Sequence, residues 1–305
     1  PATQSAAAAL RPQLSANASI TQEKLSYNYL FPRSQKTDGW NDYGRATLDF
    51  SWELDFWGRN RAALAAATSE REASQAEWAQ ARLLLSSGIA SAYAELSRLF
   101  ASRDTALQSI EVRRKTATLL AERFDNGMEN RASVRQADAR RTAAEGALLQ
   151  LDEQIGLQRH RIALLIGAGP DRGLSIQRPR VKLEQSFGLP AQLALDLLGR
   201  RPDVIAARLQ AQAQASRIEQ KSAEFYPNVN LSAFVGVQSL GLDLLGKNGS
   251  AIGSVGPAIS LPLLNGGRLR GELRASEARY EEAVARYQGT LARALQEVAD
   301  SALSQ

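Results

Sequence analysis

Residues 46–59 read Ala-Thr-Leu-Asp-Phe-Ser-Trp-Glu-Leu-Asp-Phe-Trp-Gly-Arg, and the period of the chain changes at their end. Ala46, Leu48, Phe50, Trp52, Leu54 and Phe56 take every second position, with Thr47, Asp49, Ser51, Glu53 and Asp55 between them. Side chains alternate across a strand, so this stretch predicts a strand with one apolar and one polar face. From Arg59 to Asn126 there is no proline and only Gly88, and Ala, Leu, Arg, Glu and Gln dominate, all good helix formers. At 1.5 Å per residue such a helix is on the order of 100 Å long. A strand that runs straight into an unusually long helix sets the frame for the remaining sequence.

The same alternation recurs three times. Leu14, Ala16, Ala18 and Ile20 form one set, continued after a phase shift near Glu23 by Leu25, Tyr27, Tyr29 and Phe31. Val229, Leu231, Ala233, Val235 and Val237 form another, and Val255, Pro257, Ile259, Leu261 and Leu263 a third. Polar, Gly- or Asn-bearing loops (Pro32 to Asp42 and Ser239 to Ser250) join the four strands into two long hairpins. Asn126-Gly127 offers the positive φ of a tight reversal, so the helix beginning near Arg59 folds back on a second one, Arg131 to Ile166. Pro202 and Asp203 suit the first turn of a third helix, ending near Tyr226.

The chain thus divides into a first β-hairpin at 12–57, a helical hairpin at 58–166 with its tip at 123–130, an irregular segment at 167–200, a helix at 201–226, a second β-hairpin at 227–264 and a second long helix at 265–305. The halves repeat. A shift of 209 positions matches Ser51, Leu54, Gly58, Arg59, Arg61, Leu64, Ala66, Glu72 and Ala76 with Ser260, Leu263, Gly267, Arg268, Arg270, Leu273, Ala275, Glu281 and Ala285. The second copy is expected to be truncated within its long helix, and a chain beginning at Pro1 is expected to be a processed protein or a fragment.

Composition narrows the function. The 305 residues contain no cysteine, one histidine (His160) and one methionine (Met128), which removes disulfides, thiolate chemistry and zinc clusters and leaves few catalytic tools. No constellation supports an enzyme, a cofactor or a metal site. The 37 basic and 32 acidic residues are too evenly mixed for a nucleic-acid surface: Arg113-Arg114-Lys115 and Arg140-Arg141 have Glu111 and Asp138 beside them and no interleaved aromatics. No apolar run reaches the ~18 residues of a spanning helix, so any membrane span must use strands.

A two-faced strand suits a sheet on a soluble core or the wall of a water-filled barrel. Length favours the barrel, because the alternation runs well beyond the ~5–6 residues of an average strand. So do Trp40, Tyr43, Trp52, Phe56 and Trp57, clustered in and beside one hairpin as interface aromatics are. This reading makes Asp49, Ser51, Glu53 and Asp55 pore-facing, and Leu48, Phe50, Trp52, Leu54 and Phe56 lipid-facing. Four strands cannot close alone, and an open sheet edge is too costly in lipid, so other copies must supply the missing strands.

Five stretches together closely resemble the outer membrane factor family: Leu197-Leu198-Gly199-Arg200-Arg201-Pro202-Asp203-Val204, the Trp52 to Arg59 junction, Phe225-Tyr226-Pro227, Leu261-Pro262-Leu263-Leu264-Asn265-Gly266-Gly267 and Gln296-Glu297-Val298-Ala299-Asp300. The match is to its OprM-like lipoprotein branch more than to TolC. The resemblance implies a mixed α and β membrane protein of a Gram-negative outer membrane. In that fold three protomers, with four strands each, form a 12-stranded β-barrel continuous with a periplasmic α-helical barrel. It implies passive conduction of small molecules as the exit channel of a tripartite efflux system, with a periplasmic adaptor and an inner-membrane pump of the resistance-nodulation-division type as partners. Arg123, Phe124, Asp125, Asn126 and Gly127 resemble the family's adaptor-contacting tip, whereas Ser133 departs from it where Asp or Leu is common. The family's gate lies on a second helical hairpin that this chain does not include. Arg200, Arg201, Pro202 and Asp203 carry the family motif and read best as a charge-satisfied helix start; His160 between two arginines reads as incidental. A type I secretion channel and a soluble coiled-coil scaffold are the alternative readings.

Overall fold

The computed structural model describes residues 1–24, 26, 39–180 and 199–303. Leu25, Tyr27, Tyr29 and Phe31, expected to extend the first strand, lie outside these residues, as do Leu197 and Leu198. The described residues form β1 (Gln13–Glu23), β2 (Asn41–Leu54), β3 (Asn228–Leu240) and β4 (Ala251–Ser260). Their helices are α1 (Ala2–Ala8), α2 (Arg59–Asp125), α3 (Arg131–Leu165), α4 (Pro170–Leu174), α5 (Pro202–Ala223) and α6 (Gly266–Leu303). Two compact units result, 1–77 with 194–305, and 78–193. None of the described helices is long and apolar enough to cross a membrane.

In the first unit the strands form one antiparallel sheet in the order β1-β2-β3-β4, so the two hairpins join through β2 and β3. Gly236 faces Thr47 across that seam, where a Cβ would collide with the Ala46 carbonyl oxygen and the Thr47 backbone. The helices of this unit bury mostly small residues at intervals of seven: Ala66 and Ala73 on α2, Ala206 and Ala213 on α5, Leu269, Ser276 and Ala283 on α6. A seven-residue repeat keeps one seam facing its neighbour in supercoiled helices, and alanine-sized side chains let backbones approach closely. Val204 and Ala294 form the α5–α6 core with Tyr287, Leu291 and Val298 around them.

The second unit is the helical hairpin. Ala92, Leu96 and Leu99 of α2 bury against Ile155 and Ile162 of α3, and the Gln158 amide nitrogen donates to the Ala92 carbonyl oxygen at 2.8 Å. A buried amide left unpaired would cost about 1–3 kcal/mol, so this bond fixes the register of the two helices.

Several boundaries differ from the sequence pattern. α1 precedes the first strand where no helix was expected; its alanines suffice locally. α4 interrupts the segment read as irregular, with Pro170 in its first turn and Gly173 so close to α3 that a Cβ would lie 3.0 Å from the Arg159 carbonyl oxygen. β2 stops at Leu54 and β4 at Ser260, so Asp55 and Phe56, and likewise Leu261 and Leu263, lie beyond the strands that alternation assigned to them.

Candidate channel wall and helical tip

Strand register decides what the alternation amounts to. Leu48 lies opposite Ala16 and Val235, Phe50 opposite Leu14 and Ala233, and Val235 and Ala233 opposite Gly253 and Val255. Side chains in direct register share a face, so the four apolar rows merge into one surface. That surface is bare: Leu14 is 71% exposed, Val235 62%, Val255 76% and Ile259 69%. Among the described residues no helix or second sheet covers it. The turn Leu242–Leu244 and Leu245 fold over Gly44 at one end of β2, and the Leu10 backbone meets Trp52 near the other. Burying a side chain such as Leu or Val is worth roughly 1.5–3 kcal/mol, so a face this large requires an apolar partner. β1 and β4 also each keep one edge without a strand partner within the described chain.

The opposite face is polar. Asp49 accepts from the Asn17 amide and the Thr47 hydroxyl, both at 2.8 Å, and the Asn230 amide donates to the Ser51 hydroxyl at 3.4 Å. The Arg45 guanidinium stands 5.3 Å from the centre of the Phe234 ring. Glu53 shares this face and pairs with Arg59 at 2.7 Å. Asp49, Ser51 and Glu53 are thus brought together as alternation predicts. Asp55 is not: beyond the strand end, its carboxylate accepts from the backbone nitrogens of Asn60 at 3.1 Å and Arg61 at 2.9 Å. Gly58, at φ +79°, precedes α2 without a side-chain oxygen, and Asp55 supplies the cap in its place.

Lipid-facing candidates separate in the same way. Leu48, Phe50, Trp52 and Leu54 lie on the apolar face of β2, and the Trp52 indole donates to the Leu10 carbonyl oxygen at 3.2 Å. Phe56 lies past the strand, 63% exposed, next to Trp57. Trp57 stacks on Tyr226 at 4.7 Å and donates to the Pro227 carbonyl oxygen at 2.9 Å.

Pro202 occupies the first turn of α5, and the Asp203 carboxylate accepts from the Val204 backbone nitrogen at 2.9 Å. Arg201 forks between Asp203 at 2.8 Å and Glu297 of α6 at 2.7 Å. The hydrogen bond from Arg201 holds the Asp203 carboxyl below the usual carboxylate range, and the hydrogen bond to Asp203 raises the guanidinium in turn. Arg201 and Glu297 stand in two separately quoted motifs, and the fold makes them one contact. Farther along, Lys221 of α5 bonds to Glu224 and Glu272, each at 2.9 Å; both bonds raise its ammonium, the Glu224 bond most. The residues 201–203 are a fastening between helices, with no reactive geometry.

In the second unit, α2 closes on a two-bond cap: the Gly127 backbone nitrogen donates to the Phe124 carbonyl oxygen at 2.9 Å and that of Met128 to the Arg123 carbonyl oxygen at 2.8 Å. Gly127 at φ +72° meets the left-handed geometry this cap demands. Asn130 caps α3 by accepting from the Ser133 backbone nitrogen at 2.9 Å, so Ser133 serves here through its main chain. Arg123, Phe124, Asp125, Asn126, Gly127 and Met128 are all exposed. The Glu129 carboxyl is lowered, first by the bond it accepts from the Asn130 backbone nitrogen.

The family described as outer membrane efflux protein matches residues 2–168 and 193–305. The crystal structure of the outer membrane protein VceC from Vibrio cholerae is similar over 99% of this chain and 71% of its own, with TM-score 0.92 and 47% identity. The fusaric acid resistance protein FusA of Burkholderia cepacia is 38% identical over 273 residues, 88% of this chain and 51% of its own length. The multidrug resistance outer membrane protein MdtP of Escherichia coli K12 is 30% identical over 295 residues, 94% of this chain and 60% of its own. The chain therefore spans 51% to 60% of the length of these two curated relatives. With both strand hairpins and the helices α2, α3, α5 and α6 inside the matched residues, the chain belongs to the outer membrane efflux protein family.

Proposed function

We propose that this outer-membrane protein forms, as a trimer, the exit channel of a tripartite efflux system and conducts small toxic molecules passively, without chemistry of its own. The observation that carries the reading is the sheet: four registered rows make one bare apolar face, and both edges await partners. Lipid is the apolar phase that suits a continuous outer face, and neighbouring copies are the strands that suit the edges. Asp49, Ser51 and Glu53 then face the lumen, and Leu48, Phe50, Trp52 and Leu54 the lipid.

Strand length supports the same geometry. β2 runs for 14 residues, Asn41–Leu54. At ~3.4 Å per residue and a tilt of ~40° this is about 35 Å of height, enough to cross the ~25 Å apolar band of outer-membrane barrels. The exposed tip at Arg123, Phe124, Asp125, Asn126 and Gly127 is the surface proposed to meet a periplasmic adaptor, beyond which an inner-membrane pump supplies the substrate. The resistance functions in the names of FusA and MdtP support small-molecule efflux over protein secretion.

Cysteine accessibility tests the wall. In intact outer membranes, Phe50→Cys is expected to resist a hydrophilic thiol reagent while Ser51→Cys reacts; equal labelling would sink the barrel. At the tip, no atom lies within 4 Å of a Cβ added to Gly127, so Gly127→Trp acts through its positive φ and its bulk on the outside. Trimers should survive that change and crosslinking to the adaptor should weaken.

A further inference from the structure

The polar face of the sheet holds fewer free charges than its sequence advertises. Of the three carboxylates that alternation places there, Asp55 caps α2 and Glu53 is held by Arg59 at 2.7 Å. Asp49 alone takes its hydrogen bonds from uncharged donors, Asn17 and Thr47, which fix the carboxylate in place without an ion pair. Four residues away on the same face, Arg45 pairs with no carboxylate among the described residues and lies over the Phe234 ring. β3 and β4 contribute only uncharged side chains to this face, and β1 adds only Glu23, at its last residue.

We propose that Arg45 and Asp49 are the specificity-determining charges of the lumen, two successive rings of opposite sign that sort permeating solutes by charge. The proposal rests on the channel reading, which multiplies each residue around the pore. Four residues of strand separate the two Cα positions by about 14 Å, and although the Arg45 charge reaches the Asp49 carboxylate, screening lets the nearer charge dominate the potential at each level. Anions are drawn to the Arg45 level and repelled at the Asp49 level, and cations the reverse. The strand therefore carries no net preference, and loss of either residue creates one.

Strand β1 provides reporters for each level, because Ser15 lies directly opposite Asp49 and Ser19 directly opposite Arg45, both exposed. These 305 residues hold no cysteine to interfere. Ser15→Cys and Ser19→Cys, each in the full-length protein in outer-membrane vesicles, are labelled with a cationic and an anionic methanethiosulfonate, and rates are normalised to a small free thiol. A unit charge at ~6 Å in water changes the cation-to-anion rate ratio by roughly threefold after screening. The expected result is an inverted preference: the cationic reagent favoured at Ser15→Cys, the anionic one at Ser19→Cys. Adding Asp49→Asn should abolish the first preference and Arg45→Gln the second.

Equal ratios at the two sites would overturn the proposal, as would ratios indifferent to these substitutions. Should Asp49→Asn fail to assemble, salt serves instead: raising ionic strength from about 0.01 M to 1 M should bring both ratios to that of the free thiol. Salt-insensitive ratios would overturn the assignment equally. Failure of the channel reading has a separate signature, Leu14→Cys reacting as fast as Ser15→Cys, because neighbours on one strand face opposite sides.

Discussion

The two strand-to-helix junctions descend from one sequence and are fastened differently. In the first copy, Gly58 turns at φ +79°, Asp55 caps the helix, and Arg59 reaches back to Glu53 on the strand. In the second, the position of Asp55 is taken by Leu264, 99% exposed, and that of Glu53 by Pro262. α6 already begins at Gly266, so Gly267 lies inside the helix without a positive φ, and Arg268 pairs forward with Glu272. The first helix is tied to its own strand, and also to α5 through Glu70 to Arg217. The second is tied to its neighbour α5, through Glu272 to Lys221 and through Glu297 to Arg201. Identity of residues across a duplication thus does not carry identity of role; the partner available to an arginine decides that.

The largest expected effect comes from removing the fastening unique to the first copy. Asp55→Ala strips the backbone nitrogens of Asn60 and Arg61 of their acceptor and should lower stability by about 1–2 kcal/mol, read as a fall in the thermal midpoint of the purified full-length protein. Leu264→Ala at the equivalent position should leave the midpoint unchanged, and a matching loss there would erase the distinction. Gly58→Ala forces a Cβ into the left-handed region and should cost ~1 kcal/mol or more.

The paired glycine should respond with the opposite sign. Gly267→Ala meets no atom within 4 Å and lies in a helix, so it should stabilise by roughly 0.5–1 kcal/mol in the same thermal measurement. The smallest effect is the acid response of the α5–α6 tie. Asp203 has its folded carboxyl lowered by Arg201, so its contribution is present above the unfolded carboxylate range and is lost as pH falls through the lower folded value. Between about pH 5 and pH 2 the midpoint of the native protein should therefore drop more steeply than that of Asp203→Asn.

Alternation at Leu14 to Ile20, Ala46 to Leu54 and Val229 to Val237 named the strands and their faces, because period two is a property of the strand alone. The long helices and the Asn126-Gly127 reversal were legible for the same local reason. What the sequence did not disclose lies between distant residues. Arg201 and Glu297 are 96 positions apart, and nothing in either motif names the other. Strand ends were overrun at Asp55 and Leu261, because alternation continues into the turn while the hydrogen-bonded ladder stops. Of the carboxylates assigned to the pore, only geometry separates Asp49, held by neutral donors, from Glu53 and Asp55, which the junction consumes.

The open edges of β1 and β4 carry a genetic consequence. In the proposed trimer each subunit seals its neighbour's sheet, so a chain with a damaged β1 that still folds its helices withdraws intact partners from use. Alleles of that kind should behave as dominant when expressed beside the normal gene, whereas early truncations, which never reach the assembly, should be recessive.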